Sequence, residues 1–300
     1  MSIVPVTSAP LPTVTSGPRI GLALGGGGAR GLAHIVILEA LEDLGLKPSV
    51  IAGTSIGAVF GAGAAAGLSA GQMRAYVEEI MSERYALIRQ LFSVRPRPVE
   101  RLFNLFPMRS ALLDAEALLE ALLPSRIPAT MEALGVPLAI VATDFYAQEV
   151  VVIREGPLRE AIAASMALPV IFQPVVIGGR ALLDGGLVDP LPYELVREGV
   201  DITIAVDVSG AAREPTNKPG PGALEALFSA SQILQRSIVR EKLRSNRPDI
   251  LVDTAAEGVG VLEFHRYREI FEKAAPAKEL LKRQLDRVLS TVTLEPRAKS

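Results

Sequence analysis

The chain of 300 residues has no cysteine, no tryptophan and only two histidines, His34 and His265. Without cysteine there is no disulfide framework, no thiolate nucleophile and no Cys-ligated zinc. Such a composition fits a reducing compartment. A large charge of either sign is also missing. The formal net charge of -2 gives no global basic field, so no nucleic-acid partner is expected. Long apolar runs are lacking too: the longest, around Ala58–Leu68, is rich in Ala and Gly and too short to span a bilayer. Residues 1–18 show no basic segment followed by a continuous apolar one, so no signal peptide is expected. Their Pro, Ser, Thr and Val content reads as a disordered tail before a single domain at 19–300. These absences together predict a cytoplasmic protein.

What is present suits a large α/β core, with 49% hydrophobic and 21% charged residues. Ile20–Leu24 is a continuous apolar run, the mark of a strand buried on both faces. Glycines Gly25–Gly28 follow, then a predicted helix from about Ala29 to Leu44 with Leu32, Ile35, Leu38 and Leu41 as its apolar stripe. Val50–Ala52 reads as a second strand, and Ser69 with Gln72 as a capping box. Further strands are predicted at Leu138–Thr143, Val150–Ile153, Val175–Ile177, Ala181–Leu183, Ile202–Val208 and Ile250–Asp253. Helices are predicted at Ala115–Leu123, Pro157–Met166, Ala223–Arg244 and Tyr267–Leu289, with Pro157 as a first helical residue. Alternating strands and helices imply a three-layer α/β/α sandwich with a mostly parallel central sheet.

Three motifs carry chemistry. Gly25–Gly31 contains G-x-G-x-x-G at Gly26, Gly28 and Gly31, with Arg30 inside it. Glycines between a strand and a helix let backbone N–H groups converge on an anion, either a pyrophosphate or the oxyanion of an acyl-transfer intermediate. Against the nucleotide, the second strand runs into Gly53-Thr54-Ser55 rather than an acidic residue, and no Lys follows the glycines. The second motif is Gly53-Thr54-Ser55-Ile56-Gly57, a G-x-S-x-G between a strand and a helix, the pattern of a nucleophile elbow. Its serine needs a base. His34 reads as a packed helical residue. His265 has the late position of the α/β-hydrolase order but is flanked by charges and reads as exposed. The third motif, Asp184-Gly185-Gly186, follows a strand and delivers a carboxylate, or else is simply a turn. Asp207, at the end of its own strand, is the alternative acid.

In this order the three motifs, with the segment Ala163–Pro174, resemble the signature of patatin-like phospholipases, over about Arg19 to Val208. The resemblance implies a Ser–Asp dyad without histidine, with Ser55 as nucleophile and Asp184 as base. It implies an oxyanion hole at Gly26, Gly27 and Gly28, and acyl esters of phospholipids or lysophospholipids as substrates. It implies no metal or organic cofactor. Arg30, Gly31, Gly53, Gly57, Gly185 and Gly186 support the motifs. A second reading is a non-enzymatic regulator or membrane-binding module on the same scaffold, and a third is a nucleotide-binding protein. Between residues 84 and 113, six arginines alternate with Phe92, Phe103, Phe106 and leucines. That pattern suits peripheral contact with an anionic membrane, or else a lid or the contact surface of a homo-oligomer.

Overall fold

A computed structural model describes residues 17–83, 113–210, 223–254 and 256–292. The basic and aromatic stretch expected to meet a membrane therefore lies outside the described residues, as does nearly all of the predicted N-terminal tail. The strands are β1 (Ile20–Leu24), β2 (Pro48–Thr54), β3 (Leu138–Asp144), β4 (Glu149–Ile153), β5 (Val175–Ile177), β6 (Arg180–Asp184), β7 (Ile202–Asp207) and β8 (Ile250–Asp253). The helices are α1 (Ala33–Asp43), α2 (Ile56–Ala65), α3 (Ala70–Glu83), α4 (Ala115–Leu122), α5 (Leu158–Met166), α6 (Ala223–Ser245) and α7 (Tyr267–Val292).

The described strands form one eight-stranded sheet whose hydrogen-bonded pairs follow the path β5-β6-β3-β2-β1-β7-β8, with β4 also paired to β3. Strands β3, β2, β1, β7 and β8 run parallel, whereas β4, β5 and β6 join antiparallel. The sheet is mostly parallel, as expected from the alternating elements. Alternation of side chains across it sorts residues by size. Ile20, Leu22 and Leu24 of β1, Ile140 of β3 and Ile204 of β7 face the larger core, shared with α1, α2 and α7. Ala23, Ala52, Ala139 and Ala205 face the other side, packing on Leu191, Tyr193, Val196 and Val239 of α6. The small residues let this second layer lie close to the strands.

Local signals account for most boundaries. Ser69 and Gln72 cap α3 reciprocally, through bonds of 3.1 and 3.0 Å. Gly178 and Gly179 both have positive φ, 57° and 79°, as a two-residue hairpin between β5 and β6 requires. Strand β2 is longer than the expected Val50–Ala52, and two other boundaries differ in kind. Residues Gly28–Leu32 wind as a tight 3-10 turn before α1 proper, and a β-carbon at Gly31 would lie 2.2 Å from Ile56 Cγ2. Pro157 is the extended N-cap of α5 rather than its first helical residue.

The sheet register positions the site. Residues 138–141 of β3 pair with β2, and residues 142–144 pair with β6. Because β4 pairs with residues 140–144 from the opposite edge, β2 and β6 must share one edge of β3. They run in opposite directions and meet end to end there: Val141 faces Thr54, and Ala142 faces Asp184. Ser55 and Asp184, 129 residues apart in sequence, become neighbours through this junction.

Candidate active site

Ser55 occupies the turn between β2 and α2 with φ 55° and ψ -123°. A positive φ is costly for a residue with a β-carbon, about 1–3 kcal/mol. It projects the hydroxyl out of the strand line at the N-terminus of α2. Gly53 and Gly57 flank it, and a β-carbon added at Gly53 would lie 2.6 Å from the Gly57 carbonyl oxygen. The Ser55 Oγ–H donates to Asp184 Oδ2 at 2.7 Å. The Gly186 N–H donates to Asp184 Oδ1 at 2.7 Å. Thr143 Oγ1 donates to the Asp184 carbonyl at 2.8 Å, and the Asp184 N–H donates to the Ala167 carbonyl at 3.0 Å. The carboxylate is therefore held on both oxygens and its backbone on both groups.

Asp184 is only 4% exposed. Burial pushes its carboxyl up from 3.8 to about 6, against the opposing hydrogen bonds from Ser55 and Gly186. A carboxylate with that affinity for protons is ionised at neutral pH yet is a far better base than one in water.

The glycine loop runs past the same spot: a β-carbon added at Gly26 would lie 3.5 Å from Ser55 Cβ. The three glycines expected to form an oxyanion hole are not equivalent. The Gly26 N–H donates to the Pro190 carbonyl at 2.9 Å, so it is spent within the protein. Among the described residues, the N–H groups of Gly27 and Gly28 have no such acceptor. Arg30 follows, 2% exposed, with NH1 3.3 Å from Gln232 Oε1 and its guanidinium lowered to about 10, chiefly by burial. Gly26, Gly27, Gly28, Arg30, Ser55 and Asp184 all line one cleft. Its apolar walls include Met166, Leu168, Ile171, Phe172 and Phe264. Gly31 and Gly185 stand behind it, packed on Ile56 and on the Val141 carbonyl.

The histidines stand apart from the dyad. His265 is exposed and does not line the cleft. His34 is fully buried, and its Nε2 lies 2.9 Å from the Gly25 carbonyl, so it braces the base of the glycine loop. Burial lowers its imidazole to about 4, which keeps it neutral. Asp207, the alternative acid, accepts the Ser209 N–H at 2.8 Å and caps its strand. Among the described residues no group of three His, Asp or Glu side chains is placed to hold a metal ion.

One site residue was not assigned a role from sequence. Ser165 of α5 is completely buried; its Oγ accepts the Ser55 N–H at 2.8 Å and donates to the Val141 carbonyl at 2.6 Å. It ties the strained elbow to β3 from 110 residues away. Ser165→Ala leaves the Ser55 N–H without an acceptor inside the protein, at a cost of about 1–3 kcal/mol. We expect the variant to melt several degrees lower and to react more slowly with a fluorophosphonate. Equal melting temperature and labelling rate would show that the elbow holds itself.

The chain is similar to several known proteins. The family model described as patatin-like phospholipase matches residues 22–197. A protein of the NTE family from Mycobacterium tuberculosis is 36% identical over 208 residues, 69% of this chain and 54% of its own length. Patatin-like phospholipase domain-containing protein 7 of Rattus norvegicus is 31% identical over 201 residues, 66% of this chain and 14% of its own. The chain thus spans about half the length of the first of these curated relatives and a small part of the second. Among solved structures, VipD from Legionella pneumophila aligns with a TM-score of 0.47 and 17% identity, over 91% of this chain and 67% of that one.

Proposed function

We propose a Ser–Asp dyad mechanism for this chain, which belongs to the patatin-like phospholipase family and is a hydrolase of the phospholipase type. The observation that carries the mechanism is the 2.7 Å bond from Ser55 Oγ to a buried carboxylate that has no histidine between them. Ser55 attacks the carbonyl carbon of a fatty-acyl ester while its proton passes to Asp184 Oδ2. The N–H groups of Gly27 and Gly28 receive the oxyanion. Collapse of the tetrahedral adduct expels the alcohol, which takes the proton from Asp184, and leaves an acyl-Ser55 ester. Water, deprotonated by Asp184, then attacks that ester and restores the hydroxyl. Phospholipids or lysophospholipids are the substrates proposed, since the cleft walls are apolar.

The test is chemical. A fluorophosphonate probe is expected to form a single adduct on Ser55, mapped by peptide mass spectrometry, and Ser55→Ala is expected to lose both the adduct and fatty-acid release from phosphatidylcholine or its lyso form. An adduct elsewhere, or a Ser55→Ala enzyme with undiminished turnover, would falsify the mechanism. Folded protein that takes no probe and releases no fatty acid would favour the regulator reading.

A further inference from the structure

Helix α6 is amphipathic in the wrong sense for a surface helix. Phe228, Ser231, Gln232 and Gln235, spaced as one helical face, line the catalytic cleft, and three of these four are polar. Among residues 226–234 every exposed residue is apolar, whereas beyond them Arg236, Ser237, Arg240, Glu241 and Arg244 are exposed. Leu227, Ile233 and Leu234 are 52%, 64% and 65% exposed, and Ala226 and Ala230 are exposed between them. At 100° per residue, Ile233 and Ala230 point roughly 150° away from the cleft-facing stripe. Two loops at the same cleft also carry exposed apolar residues. Val170 is 44% exposed beside the lining residues Leu168 and Ile171, and Leu262 is 36% exposed beside Val261. Val170 is pushed outward by a backbone with φ 75°, rare for a β-branched residue. Exposed large apolar residues grouped around one opening mark a contact surface. Directly after the apolar part of α6 come the exposed cations Arg236 and Arg240.

We propose that the outer face of α6, with Val170 and Leu262, seats this protein on an anionic phospholipid surface. The proposal rests on reading the cleft as a lipid hydrolase site. Apolar side chains on the outside of α6 enter the acyl region, and Arg236 and Arg240 meet the phosphates. The polar inner face, Ser231, Gln232 and Gln235, then borders the path of a substrate head group into the cleft. Residues of this surface lie outside the 84–113 stretch.

The experiment uses the full chain as Ser55→Ala, which leaves the lipid intact, floated with vesicles of phosphatidylcholine with or without phosphatidylglycerol. Binding is expected to the mixed vesicles, and Ile233→Glu combined with Leu234→Glu is expected to weaken it at least about tenfold. With Ser55 restored, the same double variant should lose hydrolysis of the vesicles by a similar factor and keep its rate on a soluble short-chain nitrophenyl ester. Undiminished vesicle binding by the double variant overturns the proposal. So does loss of the soluble-ester rate, which would make α6 a structural cover, or a wild-type dimer that the variant dissociates without change in vesicle binding. Indifference to phosphatidylglycerol overturns the anionic assignment. A wild type that cleaves the soluble ester but never floats fails here alone; one whose Ser55→Ala form floats but which cleaves nothing fails as a hydrolase alone.

Discussion

Replacing Asp184 with Asn should abolish turnover and at the same time make the protein more stable at neutral pH. The loss is the simpler half. An amide at position 184 still accepts the Gly186 N–H, but towards Ser55 it presents an NH2 group, which cannot take a proton. Removing a general base costs about 10²–10⁴ in rate, and a dyad has no third member to share the task, so a fall of at least about 10³ in kcat is expected. The gain follows from burial. The Asp184 carboxyl is raised from 3.8 to about 6 in the folded chain, mainly by desolvation. Between these pH values the folded state holds more protons than the unfolded one, so stability falls as pH rises. Above pH 6 the whole cost, roughly 3 kcal/mol, is present. The neutral Asn escapes it. Asp184→Asn should therefore melt several degrees above wild type at pH 8, and that advantage should shrink as pH drops through 6 towards 4. In the wild type, kcat/KM should fall about tenfold per unit below pH 6 and level off above it. Calorimetry at pH 8 and pH 4.5, beside a pH–rate profile, reads all of this. An inactive variant that is less stable than wild type at pH 8 would mean that the Asp184 charge is paired more strongly than its hydrogen bonds suggest.

That trade is a reason to regard Asp184 as placed for chemistry rather than for folding. The same holds for Ser55, whose φ of 55° is a standing cost. Two strained or desolvated groups meet at one junction of strands, and Ser165, Gly186 and Thr143 hold them there.

How legible this was depends on the range of each interaction. The parallel core was visible because Ile20–Leu24 and Ile202–Asp207 announce buried strands from their own composition. Ser55 and Asp184 were visible because the glycines that each turn requires are adjacent in sequence. The meeting of β2 and β6 on one edge of β3 was not visible, since it follows from strand register and not from any local pattern. Nor was the Pro190 carbonyl that accepts the Gly26 N–H and so withdraws it from the proposed oxyanion site; a motif shows which residues lack side chains, not where their N–H groups point. Ser165 stood inside a recognisable segment, yet nothing in that segment says that its hydroxyl meets Ser55. Helix α6 was predicted in place, but its position over the cleft was not. Its Phe228, Ser231 and Gln232 come more than 170 residues after Ser55 and have no motif of their own.

The second large effect is expected at Gly57, and it separates packing from catalysis within a single helix. A β-carbon added there would lie 2.1 Å from the Leu24 carbonyl oxygen, 2.6 Å from the Leu24 carbonyl carbon and 2.8 Å from the Gly25 carbonyl oxygen. All three are backbone atoms, so no rotamer change relieves the clash. Either α2 lifts off the sheet or the end of β1 moves. The first is opposed by the Ser55 turn, which is tied to Asp184 and Ser165; the second drags the glycine loop with its Gly27 and Gly28 N–H groups. Gly57→Ala should therefore cost about 3 kcal/mol or more, lower Tm by roughly 6 °C or more, and slow fluorophosphonate labelling in whatever folds. Gly61 lies one turn further along α2 and makes the control. Its added β-carbon would meet Leu138 Cδ1 at 3.2 Å and Ile51 Cγ2 at 3.3 Å, which are side-chain ends able to shift. Alanine also favours a helix over glycine by up to about 1 kcal/mol, so Gly61→Ala should fall within about 1 kcal/mol of wild type and label at the normal rate. Equal effects of the two substitutions would mean that helix propensity, and not the contact with Leu24 and Gly25, decides this position. Opposite effects would show that the glycine loop is held in place from below by the missing side chain of Gly57.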